Sequence, residues 1–386
     1  MGWRRTLLPV AIAVAVVVVG YLALTRGVDA WQSRADRPTQ GEPRLPSRVD
    51  VPAPSVPTTG SQGPVGPVGL VFPVVSVERG LGDQVPDPWV AVSSLDGAYR
   101  AIERTDLPPA SRGAAIQVSP DGRRLAWADG STVIVYDTVR DTARSLPTEG
   151  PTTLGAFSPD GARILEYDGA MAALDVDSGR RTELGAVPTS SAVAGAAWAP
   201  EGDEVAWVAN RRLVTASGDG SGSTGQPTRL PQSSTLAWSP TGDRLASLTS
   251  DCGTLSVWDT TGERFTAAGR VDTGELYIER LLGFSDDDRL AVVGLTSATG
   301  ALSRAFTLSL DGGRTAQLTA LPGQGENWVS SAGVGFAADA VRGGSADYPG
   351  PPERWSDRSV LSALVLGAFC VLGFYFTRLR RRRGRP

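Results

Sequence analysis

A four-residue turn motif recurs five times along the 386-residue chain. The first copy is Ser119-Pro120-Asp121-Gly122, and later copies begin at spacings of 39, 41, 40 and 46 residues, at Ser158, Ala199, Ser239 and Ser285. Proline presets the backbone of the first central turn position, aspartate bonds to the nearby backbone, and glycine accepts a positive φ. A period near 40 residues is typical of a stacked supersecondary unit, so it constrains the fold more than any other feature of the chain.

Each period contains four short β-type runs separated by turn residues. An apolar run precedes the turn and usually includes an aromatic residue, and a second run follows the turn, as Leu125-Ala126-Trp127 does in the first copy. A third run tends to end in aspartate, as in residues 133–137, and a polar run such as residues 144–147 closes the unit. Four-stranded units of this length are the blades of a β-propeller.

The turn and its flanking runs resemble the WD40-like (PD40) repeat of TolB-type propellers over residues 114–320. The resemblance implies that the strand before each turn lies innermost and lines the central channel. It also implies a role in protein–protein binding. The fifth copy, Ser285-Asp286-Asp287-Asp288, departs from the motif, so the resemblance does not define its turn geometry.

Two separate pieces of the chain together supply a sixth blade. Residues 89–92 and 99–102 have the pattern of outer strands, and Gly335-Phe336-Ala337 matches the inner strand of the other blades. Joining these pieces closes the ring and removes both open sheet edges, which otherwise act as templates for aggregation. We therefore predict an all-β, six-bladed β-propeller over residues 70–342, with seven blades as the alternative.

Two apolar segments flank the predicted propeller. Residues 7–24 and 360–376 carry no charge and are long enough to cross a bilayer as helices. Basic residues prefer the cytoplasmic side of a span, and the second segment is followed by the arginines Arg378, Arg380, Arg381, Arg382 and Arg383. We therefore predict two transmembrane helices in the plasma membrane, a cytoplasmic N-tail (residues 1–6), a cytoplasmic C-tail (377–386) and an extracytoplasmic propeller. A cleaved signal peptide is the alternative for the first segment.

The segments between the spans and the propeller are rich in turn-forming residues. Residues 25–69 contain many Pro, Gly, Ser and Arg residues, which predicts a flexible or semi-extended linker. Residues 343–359 predict a shorter stalk. All 41 acidic residues lie between the two apolar segments, so the outer part of the chain is negatively charged and does not favour nucleic acid or bare anionic lipid.

Composition argues against the common catalytic classes. The chain has no His, which excludes triads built on histidine and zinc sites of the His type. The two cysteines, Cys252 and Cys370, fall in the propeller and in the second apolar segment, so no disulfide framework is expected. We predict no cofactor and no enzymatic activity, and a chemistry built on carboxylates alone stays open.

One single acidic residue and one acidic turn are candidates for binding. Glu166 occupies a strand position that holds Trp127, Trp207, Ser247 and Val292 in the other repeats, so its carboxylate is either functional or locally exposed. Unpaired burial would raise its pKa. A second candidate is the acidic turn with residues Asp286, Asp287 and Asp288, whose oxygens suit a hard cation such as Ca²⁺, although the spacing of a calcium-binding loop is absent and a solvated turn is the simpler interpretation.

The aromatic residues before the turns recur at one place in most blades, namely Phe157, Trp198, Trp238, Phe284 and Phe336. Such recurrence favours packing between blades over a carbohydrate-binding platform. The sequence as a whole predicts a membrane-anchored scaffold that binds another protein of the cell envelope or membrane. Two alternatives are an envelope ligand sensor that works through a partner membrane protein, and a glycan hydrolase or lyase built on carboxylates.

Overall fold

Six four-stranded antiparallel sheets make up most of the part of the chain that the computed structural model describes. That part comprises residues 40–53, 56–79, 83–86, 88–108, 116–185, 195–228, 230–231, 234–249, 254–261, 265–274, 276–295, 303–311, 315–322, 333–351 and 365. The sheets are the predicted blades, so the all-β six-bladed propeller is confirmed and the seven-bladed alternative is wrong.

The strands are numbered in chain order, and each blade is given from its innermost to its outermost strand. Blades 1 to 3 consist of β27 (Gly335–Phe336), β2 (Val68–Pro73), β5 (Trp89–Ser93) and β6 (Tyr99–Ala101); β7 (Gln117–Val118), β8 (Arg124–Asp129), β9 (Thr132–Asp137) and β10 (Thr142–Pro147); and β11 (Thr153–Phe157), β12 (Arg163–Tyr167), β13 (Met171–Asp175) and β14 (Arg181–Gly185). Blades 4 to 6 consist of β15 (Ala197–Trp198), β16 (Glu204–Ala209), β17 (Arg212–Ser217) and β18 (Ser223–Pro227); β19 (Thr235–Trp238), β20 (Arg244–Leu248), β21 (Leu255–Asp259) and β22 (Thr266–Arg270); and β23 (Tyr277–Asp286), β24 (Arg289–Leu295), β25 (Arg304–Ser309) and β26 (Thr315–Ala320).

The strand that precedes each repeated turn is the innermost strand of its blade. Inner strands of successive blades contact one another, as β7 contacts β11, β15 contacts β19 and β19 contacts β23. This arrangement confirms the position that the resemblance implies. Clusters of buried apolar side chains fill the spaces between adjacent blades, so each blade is stabilised mainly by its two neighbours.

Ring closure joins the two ends of the propeller in one blade. Strand β27 comes from the C-terminal end and pairs with β2 from the N-terminal end, with Phe336 opposite Leu70 and Gly335 opposite Val71. The predicted division of this blade between residues 89–92, 99–102 and 335–337 is confirmed. The sequence pattern did not identify β2 as its second strand, because a strand that is buried along its whole length shows no alternation of polar and apolar residues.

Successive connections alternate between the two faces of the disc because neighbouring strands of a blade are antiparallel. One face carries the short repeated turns and the turns between the third and fourth strands, and we call it the turn face. The opposite face, the loop face, is where the longest connections begin and end, namely residues 74–88, 102–116, 186–196 and 321–334. The first of these contains a separate hairpin of β3 (Ser76–Arg79) and β4 (Asp83–Pro86).

The repeated turn holds its shape through its own side chains. The Ser119 hydroxyl donates to Asp121 Oδ1 at 2.7 Å and accepts from the Arg124 amide at 2.9 Å, while Gly122 has a φ of +70°. Ser119 is fully buried. Gly122 belongs to blade 2 and also contacts blade 1, since its carbonyl accepts from the Val68 amide at 2.8 Å. The turn is therefore a joint between blades 1 and 2 as well as a reversal of the chain.

The described part of the predicted linker is packed against the propeller. Residues 43–53 and 56–63, which we call the strap, pack against the outer side of the propeller, and Leu45, Val49 and Val56 are buried in the groove between blades 6 and 1 among side chains of both blades. The strap bonds to the outer strands of both blades, through Val49 N to Ala320 O at 2.8 Å and through Ala101 N to Pro57 O at 2.8 Å. The prediction of a flexible linker is therefore wrong for these residues, because their apolar side chains are buried against the propeller.

The predicted stalk also packs in its described part, residues 343–351. Strand β28 (Ser345–Ala346) lies parallel to β1 (Leu45–Pro46) of the strap. The Tyr348 hydroxyl donates to the Ser94 carbonyl at 2.8 Å, and Gly41 lies against Leu95 of the same β5–β6 turn. Gly41 and Tyr348 therefore contact the same turn of blade 1. The prediction of a stalk is wrong for residues 343–351, because they pack against the propeller and the strap.

Two short helices complete the described elements. The strap contains α1 (Thr59–Gln62), which is capped by the Thr58 side chain. Helix α2 (Ala338–Arg342) follows β27 and packs against β2 and β23 at the seam between blades 1 and 6. Within the described residues, no helix has the length and apolar character that crossing a bilayer requires. The predicted spans (residue 365 excepted), the arginine tail and both cysteines lie outside that part of the chain.

Replacement of Gly122 by alanine tests the joint between blades 1 and 2. A Cβ atom at this position would lie 2.1 Å from the Val68 carbonyl oxygen, in addition to the strain of a positive φ. We expect Gly122→Ala to lower the free energy of unfolding by about 3 kcal/mol or more, measured by urea denaturation. Gly130→Ala is the matched control, because Gly130 has a φ of +59° but open space around it, and we expect a loss of about 1–2 kcal/mol. Equal losses in the two variants would contradict the proposed joint.

Truncation of Leu45 tests whether the strap belongs to the folded core. Leu45 is 0% exposed, so we expect Leu45→Ala to lower the free energy of unfolding by about 2–4 kcal/mol in the same assay. Glu42→Ala is the control, since Glu42 is exposed and makes only a surface ion pair with Arg44. A Leu45→Ala variant as stable as this control would restore the interpretation of residues 40–69 as a linker.

Candidate functional site

Glu166 lies in the second strand of blade 3 and is fully buried, with 0% of its side chain exposed. The equivalent residues of the other repeats, Trp127, Trp207, Ser247 and Val292, are buried as well. The sequence left open whether this carboxylate is locally exposed, and the structure excludes that possibility. The strand position is a core position in the five aligned blades, so a charge there requires a partner.

The partner of Glu166 is Arg181, which the sequence pattern did not identify. Arg181 Nε donates to Glu166 Oε1 at 2.7 Å, and Arg181 Nη2 donates to Asp168 Oδ1 at 2.6 Å. The side chains of Asp168 and Arg181 are 7% and 25% exposed. Arg181 belongs to β14, so its guanidinium reaches across β13, where the small Ala172 pairs with Glu166. Residues on alternate strands of a blade share no sequence spacing that would have revealed this cluster.

The cluster leaves one carboxylate oxygen without a donor. Glu166 Oε2 is inaccessible and has no hydrogen-bond partner in the part of the chain that the structure describes. Burial raises the pKa of the Glu166 carboxyl above its ordinary value, and the negative charge of Asp168 acts in the same direction, while the hydrogen bond and the charge of Arg181 oppose the shift. Burial therefore outweighs the ion pair, so the ionised form of Glu166 is less favourable in the folded chain than in water.

Catalysis by this cluster would require contact with a substrate. Two carboxylates and a raised pKa are features of glycosidase sites. Glu166 has no exposed surface, however, and Arg181 occupies an oxygen of each carboxylate. A general acid must lie within hydrogen-bond distance of the substrate atom that it protonates. A fully enclosed carboxyl group does not reach a substrate. The geometry is that of an ion-pair cluster buried within blade 3.

The acidic turn of blade 6 contacts blade 5. Asp286 pairs with Arg289, so only Asp287 and Asp288 form the turn, which is tighter than the other repeated turns. Asp287 Oδ1 accepts from the hydroxyl and the amide of Thr241 at 2.8 and 3.1 Å, and Asp288 Oδ1 accepts from Arg244 Nη1 at 2.9 Å. Among the described residues, no group of three or more His, Cys, Asp or Glu side chains is arranged to hold a metal ion.

The same strand position supplies an arginine that links three pairs of adjacent blades. Arg124 donates to the Gly161 carbonyl at 3.0 Å, Arg163 donates to the Gly202 carbonyl, and Arg244 donates to the Asp287 carbonyl at 3.0 Å. Each acceptor lies in the repeated turn of the following blade. Sequence analysis missed these arginines. Each is the second residue after its turn motif, and this recurrence could have identified them. Hydrogen bonds from a charged donor contribute about 1.5–3 kcal/mol each.

The recurring aromatic residues pack between blades, as the sequence predicts. Trp198 lies in the cluster between blades 3 and 4, and the guanidinium carbon of Arg163 is 4.6 Å from its ring centroid. Trp238 contacts Phe265 edge to face, with ring centroids 5.9 Å apart. These rings contribute to the core and are not arranged as an open platform.

Comparison with known proteins finds distant similarity to solved structures. No family model and no curated protein matches the sequence. The chain is similar to the putative TolB from Agrobacterium tumefaciens (TM-score 0.41, 16% identity, covering 54% of this chain and 80% of that chain) and to hydrazine synthase from Kuenenia stuttgartiensis (0.40, 17%, 56% and 67%). It is also similar to the Cps50 (Swd1) β-propeller domain from Myceliophteria thermophila (0.42, 14%, 66% and 84%). At this level of similarity, the six-bladed architecture rests on the strand pairing of the chain itself.

The pH dependence of stability tests the environment of Glu166. A raised pKa in the folded state means that the folded chain holds this proton more tightly than the unfolded chain, so the resulting stabilisation is present at low pH and is lost as the pH rises through the folded pKa. Glu166→Gln removes this titration. We therefore expect the melting temperature of the variant, relative to that of the wild type, to increase from about pH 4 to about pH 8.

Glu183→Gln is the control for this experiment, because Glu183 is exposed on β14, the outermost strand of the same blade. Its melting-temperature difference from the wild type should stay constant over the same range. A constant difference for Glu166→Gln as well would show that burial does not disfavour the charge of Glu166.

Proposed function

We propose that the chain is a membrane-anchored, extracytoplasmic β-propeller that acts as a protein-binding scaffold in the cell envelope. In this proposal, residues 7–24 and 360–376 cross the plasma membrane as helices, and both termini are cytoplasmic. The arginines that follow the second segment set this orientation. The partner is another envelope or membrane protein.

The main support is the place where the two flanking segments leave the disc. Gly41 lies against Leu95, and Tyr348 bonds to Ser94, so the described residues nearest to both segments meet at the β5–β6 turn of blade 1. Two chain ends that meet at one edge of the disc are compatible with two spans in the same bilayer. This geometry suits a double anchor and leaves the loop face open to partners.

The loop face also has the features of a binding surface. The longest connections begin and end on this face, and connections carried by a rigid sheet scaffold are the usual position of binding residues. Among the described residues it includes exposed apolar side chains on adjacent blades, with Val75 43% exposed after β2 and Tyr277 54% exposed at the start of β23. Aromatic residues are enriched in protein interfaces.

Site-specific photo-crosslinking in intact source cells tests this proposal. A crosslinking amino acid would replace Val75 or Tyr277 on the loop face, and Arg140 or Asp219 on the turn face as matched exposed controls. We expect one envelope protein to be crosslinked from Val75 and Tyr277 and not from Arg140 or Asp219. Adducts from the turn-face positions alone, or from none of the four positions in correctly inserted protein, would overturn the scaffold proposal.

A further inference from the structure

The outermost strand of each blade has a free edge on the rim of the disc, where backbone groups point away from the sheet. The strap covers two of these edges. The last residue of β6 bonds to it through Ala101 N to Pro57 O at 2.8 Å, and the last residue of β26 through Ala320 N to Ser47 O at 3.1 Å. Both contacts are parallel bridges. Blades 1 and 6 therefore show that an extended segment pairs with an outermost strand of this fold.

The hydrogen bonds next to Ala101 identify the equivalent residue in other blades. The following residue, Ile102, donates its N–H to the Trp89 carbonyl within the sheet, so the N–H and C=O groups of Ala101 point outward. The same bond recurs in blades 2, 4 and 5, where the donors are Thr148, Thr228 and Val271. The residues just before these donors therefore also point their backbone groups outward, and they are Pro147, Pro227 and Arg270. The equivalent residue of blade 3 lies outside the described residues.

Arg270 differs from the other four residues at this position. Pro147 and Pro227 have no N–H group to donate to an added strand, and proline at a strand edge is a common protection against such pairing. Ala101 and Ala320 are covered by the strap. The outward backbone groups of Arg270 have no partner among the described residues, and all five residues of β22 are exposed. Blade 5 thus has an accessible open edge at the place where blades 1, 2, 4 and 6 are covered or blocked.

The bulge in β22 does not prevent the addition of a strand. The register of β22 is interrupted at Ala268, two residues before Arg270. Strand β26 has the same interruption at Leu318, two residues before Ala320, and it still pairs with the strap. The two strand ends are therefore equivalent in register, and one of them shows the pairing that the other leaves open.

We propose that the end of β22 binds an extended segment of another protein, which adds to blade 5 as a fifth strand. The segment lies parallel to β22 and exchanges backbone hydrogen bonds with Arg270, as the strap does with Ala320. The positive charge of the exposed Arg270 side chain favours an acidic residue in the segment. The inference depends on strand pairing in blade 5, and it is independent of membrane anchoring and of the exposed residues of the loop face.

The charge of Arg270 also decides between two sources of the added strand. A symmetric pairing of two β22 strands centred on this residue would place two Arg270 side chains next to each other. Like charges directly opposite one another on neighbouring strands are destabilising. A segment of a different protein is therefore favoured over a second copy of this chain.

Peptide binding to the full-length protein in detergent tests the proposal. The probe is a fluorescein-labelled, seven-residue peptide of alternating valine and glutamate, and fluorescence anisotropy measures its affinity. We expect saturable binding to the wild type. Arg270→Pro gives blade 5 the residue that blades 2 and 4 have at this position, and it should weaken binding by about tenfold or more, because the N–H donor is lost.

Arg270→Ala is the matched control, since it removes the same charge but keeps the N–H group. It should weaken binding by no more than about fivefold, because an exposed ion pair contributes little. The same peptide with N-methylated valines lacks part of its backbone donors and should bind the wild type more weakly. Pro227→Ala restores the N–H group in blade 4 and should add a second binding site.

Three results would overturn the proposal: no saturable binding to the wild type, equal affinities of Arg270→Pro and Arg270→Ala, or equal binding of the methylated and unmethylated peptides. If Arg270→Pro does not fold, the comparison of the two peptides decides. Sedimentation of the wild type provides a further check. A concentration-dependent dimer that Arg270→Ala retains and Arg270→Pro abolishes would identify a second copy of the chain as the added strand and contradict the choice of a partner segment.

Discussion

Ring closure is the constraint on which the rest of this propeller depends. The closing contact is short, since β27 pairs with β2 through Phe336 and Leu70 and through Gly335 and Val71. The strap reinforces this contact by filling the groove between blades 6 and 1 with apolar side chains and by bonding to the outer strands of both blades. Segments outside the repeat thus complete the repeat architecture.

Charged residues at the blade seams serve different purposes. The arginines Arg124, Arg163 and Arg244 tie blades together through backbone carbonyls, so their charge is compensated within the fold. Glu166 is compensated in part, by Arg181, and keeps one oxygen without a donor. Arg280 has a ring beneath it and no hydrogen-bond acceptor among the described residues. The degree of compensation therefore differs from one buried charge to another.

The two faces of the disc differ for a topological reason. Antiparallel strands send the repeated turns to one face and the long connections to the other, and both flanking segments join blade 1 at the β5–β6 turn. A double anchor at that edge would leave the loop face accessible. The proposed scaffold function is therefore supported by the course of the chain through the disc more than by any single residue. This is expected for a fold that hosts many unrelated functions.

The sequence by itself determined the blades, because the turn motif and its period are local patterns that recur along the chain, with an aromatic residue before the turn in most units. It also predicted the split blade and the packing role of Trp198 and Trp238. The tertiary structure alone decided what joins distant segments, namely the packed strap, the partnership of Glu166 with Arg181 across β13, and the contact of Arg280 with Phe336. These contacts join side chains that are separated along the chain, so local sequence patterns do not predict them.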